Sequence, residues 1–207
     1  MYTLYARAGW GSVLTEAQLA WYGLAYRIEE VGDLFKESGA GEKLRGVNPL
    51  SQLPTLVLPD GQVMTESAAI TLHLAEVTGR DDLVPSPPRP QFLRWLVFLV
   101  ANIYPTFTYA DDPARFVPGE QAQKEFEVNV HAYAKRLWGI VEAEAGTPWF
   151  FGDRFSALDI FIATMTRWQP GRKWFVADAP KLHAIAVAAE SAPPIVEVWR
   201  RNFPPRA

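Results

Sequence analysis

Two short stretches place chemically useful groups close together: Asn48-Pro49-Leu50-Ser51-Gln52-Leu53-Pro54-Thr55-Leu56-Val57-Leu58 and Thr65-Glu66-Ser67. Pro54 opens an apolar run that reads as a strand, and proline, lacking an N–H, is tolerated at a strand's first residue but not in its middle. An X-Pro bond in a tight turn is also where a cis peptide occurs. A cis Leu53-Pro54 leaves the N–H and C=O of Leu53 free to pair with an extended ligand, as an added strand does. Glu66 and Ser67 open a helix, where unpaired N–H groups and the dipole favour a carboxylate. Glu66 can hold an amine. Together these groups suit a small zwitterionic peptide.

The elements that must hold them follow from periodicity and punctuation. Residues 2–6 alternate and read as a strand. Ser12 to Tyr22 reads as a helix with Val13, Ala17, Ala20 and Trp21 on its buried face, ended by Gly23. Tyr26 to Val31 is a second strand, and Asp33 to Arg45 a weak helical segment broken by Gly39 and Gly41. Pro59-Asp60-Gly61 makes a hairpin turn between Thr55–Leu58 and Gln62–Met64. Glu66 to Val77 is a helix ended at Gly79. Between Pro85 and Pro90 stand four prolines, a stiff linker. Everything beyond it reads as helical: Gln91 to about Tyr104, where Pro105 ends or kinks the helix; Gly119 to Ala145, with Phe126, Val130, Tyr133, Leu137 and Val141 near helical spacing; and two short helices, Pro180 to Ser191 and Pro194 to Asn202. Phe155-Ser156-Ala157-Leu158-Asp159-Ile160 has the form of a capping box with a hydrophobic staple, starting an apolar helix to Trp168.

Composition narrows the function. At 207 residues, 49% of them hydrophobic, the chain can bury a sizeable core in one large or two small domains. A net charge of −3 advertises no nucleic-acid face. No apolar run reaches the ~18 residues of a membrane span, and no signal peptide opens the chain. With no cysteine there is no disulfide, thiolate metal site or cysteine nucleophile. That fits a cytoplasmic protein. The three histidines have no metal-ligand spacing, so no metal is expected; His73 reads as packing, and Glu142 and Glu144 as solvated.

With these elements in this order, the chain resembles a glutathione transferase of the bacterial cytosolic type. Three motifs carry the likeness: Gln52-Leu53-Pro54-Thr55 as the cis-proline loop, Thr65-Glu66-Ser67-Ala68-Ala69-Ile70 as the segment holding the γ-glutamyl end of glutathione, and Ser156-Ala157-Leu158-Asp159 as the capping box of the sixth helix. The resemblance implies a thioredoxin-like α/β domain over residues 1–78, a linker over 79–90 and an all-α domain over 91–207. It implies that glutathione, as co-substrate, is bound by Gln52, Leu53, Pro54, Glu66 and Ser67, with Asp159 structural. The electrophile pocket would draw on Trp10, Asn102, Tyr104, Thr106, Phe107, Tyr109 and Trp168. The other reading of the 102–109 segment is core aromatics at a helix kink, and Trp10 either covers the site or packs between subunits. The resemblance also implies a homodimer, with no nucleic acid or membrane as partner.

The chain departs from the family where the glutathione thiolate is stabilised. Members place a tyrosine, serine or cysteine just after the first strand; here the stretch is Tyr5-Ala6-Arg7-Ala8-Gly9-Trp10-Gly11-Ser12. The cysteine position falls at Gly11 and the tyrosine position near Ala6, with Tyr5 one residue off and so on the other strand face. Ser12 is the side chain expected to act, its hydroxyl donating to a thiolate at a helix N-terminus, with Arg7 adding positive charge. The backbone N–H groups of Gly11 and Ser12 are the alternative donors, working as an oxyanion hole does. The expected function is attack of glutathione thiolate on a small hydrophobic electrophile. The alternatives are a binding or regulatory module on the same fold, or a glutathione-dependent isomerase, dehalogenase or ether-cleaving enzyme.

Overall fold

A computed structural model describes residues 1–204 apart from Lys36 and Ser38. Strand β1 (Tyr2–Ala6) alternates buried and half-buried residues, as a strand with one face on a core must. Helix α1 (Ser12–Tyr22) connects it to β2 (Tyr26–Glu30), which lies parallel to it, Tyr2 opposite Tyr26. After α2 (Ala40–Arg45), β3 (Thr55–Val57) pairs antiparallel with the other side of β1, and β4 (Val63–Met64) antiparallel with β3. The sheet order is β2-β1-β3-β4. Helix α3 (Ser67–Thr78) follows, closed by Gly79 at φ 63°. This is the expected thioredoxin-like arrangement. The helical segment expected from Asp33 begins only at Ala40; Lys36 and Ser38 within it lie outside the described residues.

Helix α1 departs from its expected one-sided face. Residues Ser12 to Leu19 are all buried, while Ala20 and Trp21 are half-buried. The cause is packing on more than one side, against β1, α3 and the last helix, α10 (Val196–Asn202). The chain divides into two compact units, Met1–Val84 together with the segment from Glu190, and Pro85–Ala189. The C-terminal segment, read in the sequence as part of the helical domain, thus belongs with the sheet.

The second unit is helical. Arg89–Phe98 forms α4, with Pro90 in its first turn where a missing N–H costs nothing. Pro105 does not end this run. A π-helical turn, Leu99–Ile103, precedes it, with Tyr104 N–H bonding Leu99 C=O, and α5 (Tyr104–Asp111) continues with Pro105 in its first turn. The wider turn absorbs the proline. Helix α6 (Glu120–Glu144) buries Val130, Ala134, Leu137, Trp138 and Val141; Tyr133, expected inside, is exposed. Helix α7 (Ala157–Met165) is buried throughout. Its start is the expected capping box. The Asp159 carboxylate accepts from Ser156 N–H (2.7 Å) and Ser156 Oγ (3.2 Å), and also from Phe150 N–H (2.8 Å). Burial pushes the Asp159 carboxyl up to about 6, against the pull of these donors. Helix α8 (Arg172–Asp178) was not anticipated; it is short and follows Gly171 at φ 86°. Glu142, read as solvated, accepts the first N–H groups of α9 (Pro180–Glu190), from Lys181 and Leu182, at 3.1 and 2.9 Å. No helix among the described residues is long and apolar enough to cross a membrane.

Candidate functional site

The turn that enters β3 is built by Asn48, which is 4% exposed. Its Nδ2 donates to Gln52 C=O (3.1 Å) and Thr55 Oγ1 (2.9 Å), and its Oδ1 accepts from Leu50 N–H (3.0 Å). The Thr55 hydroxyl donates to the same Gln52 C=O at 2.8 Å. The Leu53-Pro54 bond is cis. The Leu53 side chain is buried with Val31 and Leu44, and Tyr5, Trp10 and Leu34 pack against that cluster. Among the described residues, the Leu53 N–H and C=O take no hydrogen bond. Its side chain is anchored while its peptide groups are left for a partner, and backbone polar groups are seldom left so.

The β3–β4 register pairs Leu56 with Met64. β4 ends at Met64, so the residues that lead into β3 and those that follow β4 lie at the same end of this pair. Glu66 sits at φ 64° and ψ 104°, as N-cap of α3. A non-glycine residue held there costs about 1–3 kcal/mol, and such positions cluster at ligand sites. Its side chain is exposed and has no partner among the described residues, and its C=O accepts from Ile70 N–H at 2.9 Å. Ser67 follows as the first residue of α3, 8% exposed, its hydroxyl also without a partner there. The first N–H groups of α3 have no intrahelical acceptor. Leu53-Pro54, before β3, and Glu66-Ser67, after β4, thus lie at the same end of this antiparallel pair, and Gln52, exposed, precedes Leu53.

The loop from β1 to α1 differs from expectation. Ser12 is fully buried. Its hydroxyl donates to Arg7 C=O (3.1 Å) and accepts from Arg7 N–H (3.2 Å), so its one proton is used inside the loop. With its proton given to Arg7 C=O, the hydroxyl has none left to donate to a substrate sulfur. The Arg7 charge is likewise engaged, by Asp33 (3.2 Å) and Glu37 (3.7 Å), with the guanidinium 5.4 Å from the Trp10 ring centroid. It adds no free positive charge. The N–H groups of Gly11 and Ser12, where α1 begins, have no acceptor among the described residues.

In the helical unit, three of the expected pocket residues meet. Tyr104, Phe107 and Trp168 contact one another edge to face, with centroids 6.0, 5.6 and 4.9 Å apart. Tyr109 belongs elsewhere, against Phe116 and Phe126 at 5.0 and 6.5 Å. Thr106 is 2% exposed and donates its hydroxyl to Ile103 C=O (2.7 Å), so it faces no ligand. Asn102 is half-buried in the π turn. Trp10 is in the first unit, with its ring 5.3 Å from that of Phe35.

Residues 15–77 match the family model of the glutathione S-transferase N-terminal domain. The chain is 38% identical over 206 residues to the uncharacterised GST-like protein YncG of Escherichia coli K12, an alignment covering 98% of each. The chain belongs to the glutathione S-transferase family. It is also 30% identical over 171 residues to the glutathione S-transferase GstA of Escherichia coli O157:H7, covering 80% of this chain and 81% of that one. In fold it matches a glutathione transferase homologue from Sulfitobacter, crystallised with bound glutathione, at a TM-score of 0.83 with 19% identity over 96% of each chain.

Two hydrogen-bonding features of the first unit go beyond the sequence reading. Asn48 stands in the turn motif, and Asn before proline initiates turns. Glu16 and Asn202, 186 residues apart, carried no local signal at all.

Proposed function

We propose that the first unit binds glutathione and presents its sulfur, as thiolate, to a small apolar electrophile. The observation that carries the reading is the unpaired Leu53 peptide beside the Glu66-Ser67 start of α3. Leu53 N–H and C=O pair with the cysteinyl unit as one strand pairs with another. Glu66 takes the γ-glutamyl ammonium, and the Ser67 hydroxyl and α3 N–H groups take its carboxylate. Gln52, exposed and next to Leu53 in the chain, supplies a further contact.

With Ser12 enclosed, the thiolate falls to the N–H groups of Gly11 and Ser12. A free thiol has a pKa near ~8.5, and donors at a helix N-terminus lower it. The thiol proton leaves to solvent, sulfur bonds to the electrophilic carbon, and the leaving group departs with its electron pair. Tyr104, Phe107 and Trp168 are the apolar surface for the electrophile. Supporting the reading are the family membership and the glutathione bound by the Sulfitobacter homologue. Isothermal calorimetry with glutathione, followed by halide release from an activated aryl halide, tests it. Absence of glutathione binding sinks it.

The enclosed Ser12, with no cysteine in the chain, favours a second reading: a module that binds glutathione without ionising it. Glutathione binding with an unshifted thiol titration and no turnover decides for that module.

A further inference from the structure

The loop that carries Gly11 and Ser12 is fastened by the far end of the chain. Gly9 N–H donates to Asn202 Oδ1 (3.2 Å), at the last residue of α10. Asn202 Nδ2 donates in turn to Glu16 Oε2 (2.8 Å) on α1 and to Val198 C=O (2.9 Å) within its own helix. Asn202 is 7% exposed and Glu16 2%. The orientation of the amide is forced, because an N–H faces one side of it and a carboxylate the other. Glu16 is held further by an ion pair with Arg201 and by Tyr26 OH at 3.4 Å. A Cβ built on Gly9, which sits at φ 76°, would stand in ordinary van der Waals contact, 3.5 Å from Asn202 C=O and 3.6 Å from the Phe203 ring.

We infer that Asn202 is a positioning residue for thiolate formation. It touches neither glutathione nor electrophile. Its amide ties the β1–α1 loop to α1 from outside, and so fixes where the Gly11 and Ser12 N–H groups point. Ser12 Oγ closes the loop from inside, on Arg7; Asn202 is its counterpart on the outer side. The inference rests on the assignment of these N–H groups to the thiolate, because a donor displaced by a fraction of an ångström loses much of its hold on a charge. The C-terminal helix thereby sets the nucleophile's acidity from outside the ligand-contact residues.

The test uses the full chain and four proteins: wild type, Asn202→Ala, Asn202→Asp, and Asn202→Asp combined with Glu16→Gln. The last exchanges donor and acceptor across the same contact, whereas Asn202→Asp alone sets two carboxylates against each other. Amide hydrogen exchange without ligand reads the loop, and the ultraviolet thiolate band of bound glutathione against pH reads the sulfur. Asn202→Ala and Asn202→Asp should each speed exchange at Gly9 and Trp10, whose N–H groups are bonded to Asn202 Oδ1 and Arg7 C=O, by roughly tenfold or more and raise the bound thiol's pKa by about 0.5–1 unit, a partial loss of donor stabilisation. The double variant should recover part of both, since it restores the contact between positions 16 and 202 but loses the donor to Val198 C=O and the Glu16–Arg201 ion pair; no recovery of either overturns the inference. Unchanged exchange overturns the inference whatever the ligand is. Faster exchange with an unmoved thiol pKa, in a protein whose wild type does ionise glutathione, overturns it too and leaves Asn202 a purely structural tie. A wild type that binds glutathione without ionising it, or binds none, fails at the parent reading and sinks this one with it, and that failure is seen before any variant is made.

Discussion

Asn48→Ala separates the turn's two duties, holding the fold and presenting Leu53. The substitution removes three hydrogen bonds, to Gln52 C=O, Thr55 Oγ1 and Leu50 N–H. The loss is softened at two of them. Gln52 C=O keeps the Thr55 hydroxyl at 2.8 Å, and Leu50, 66% exposed, can turn its N–H to water. At about 0.5–1.5 kcal/mol per bond, with the lower half of the range fitting these two, the cost is about 1.5–3.5 kcal/mol. For a chain of this length that lowers Tm by about 3–14 °C. Once the turn loosens, Leu53 no longer meets the ligand with both peptide groups aligned, and the loss of about one net bond weakens glutathione binding by roughly tenfold. Thermal unfolding by circular dichroism gives the first quantity, and calorimetry well below the variant's Tm gives the second. A lowered Tm with unchanged glutathione affinity would refute the view that this turn is held for the ligand. A Tm shift under about 1 °C would refute the hydrogen-bond accounting.

Four further outcomes are expected. Ser12→Ala keeps kcat/KM for an aryl halide within about tenfold of wild type, where a hydroxyl acting directly on sulfur would cost about 10²–10³; a loss of that larger size returns the catalytic role to Ser12. Glu66→Gly relieves the φ 64° conformation and raises Tm by about 2–4 °C for roughly 1 kcal/mol, while glutathione affinity falls at least about tenfold for want of the carboxylate; a variant that is both more stable and equally tight contradicts the amine contact. The raised Asp159 carboxyl keeps its proton more firmly folded than unfolded, so its stability contribution is complete below about pH 4 and is lost as pH rises through about 6. The urea-measured advantage of wild type over Asp159→Asn should therefore shrink by roughly 2–3 kcal/mol from pH 4 to pH 7, and an advantage that grows with pH reverses the assignment. Trp168→Ala raises KM for the electrophile several-fold with the glutathione Kd unchanged, and an equal effect on both would remove the Tyr104–Phe107–Trp168 cluster from the electrophile side.

What the chain alone made legible were the features written in neighbouring residues. Pro54 at the head of an apolar run, Glu66-Ser67 at a helix start, Ser156 with Asp159 three residues on, and Gly23 and Gly79 as helix stops each act within a turn or two of backbone. Their geometry follows from sterics and local hydrogen bonding, so the two-part fold, the cis Leu53-Pro54 turn and the start of α3 could be read directly. The likeness to the family came from the order of the same local signals.

Tertiary structure decided the fate of each polar side chain. Ser12 reads locally as a helix-start hydroxyl free to act, and only the path of the loop back onto Arg7 encloses it. Arg7 reads as a free cation until Asp33 and Glu37 close on it. Tyr109 was expected in the pocket with Tyr104 and Phe107 but packs on Phe116 and Phe126. The C-terminal helix, continuous in sequence with the helical domain, packs instead on α1, bringing Asn202 to Gly9 across 193 residues. A backbone turn is specified by the residues within it, whereas burial and hydrogen-bond partnership depend on which distant surface arrives. The cis Leu53-Pro54 turn and the start of α3 at Ser67 were therefore visible in the sequence, and the enclosure of Ser12 and Arg7 was not.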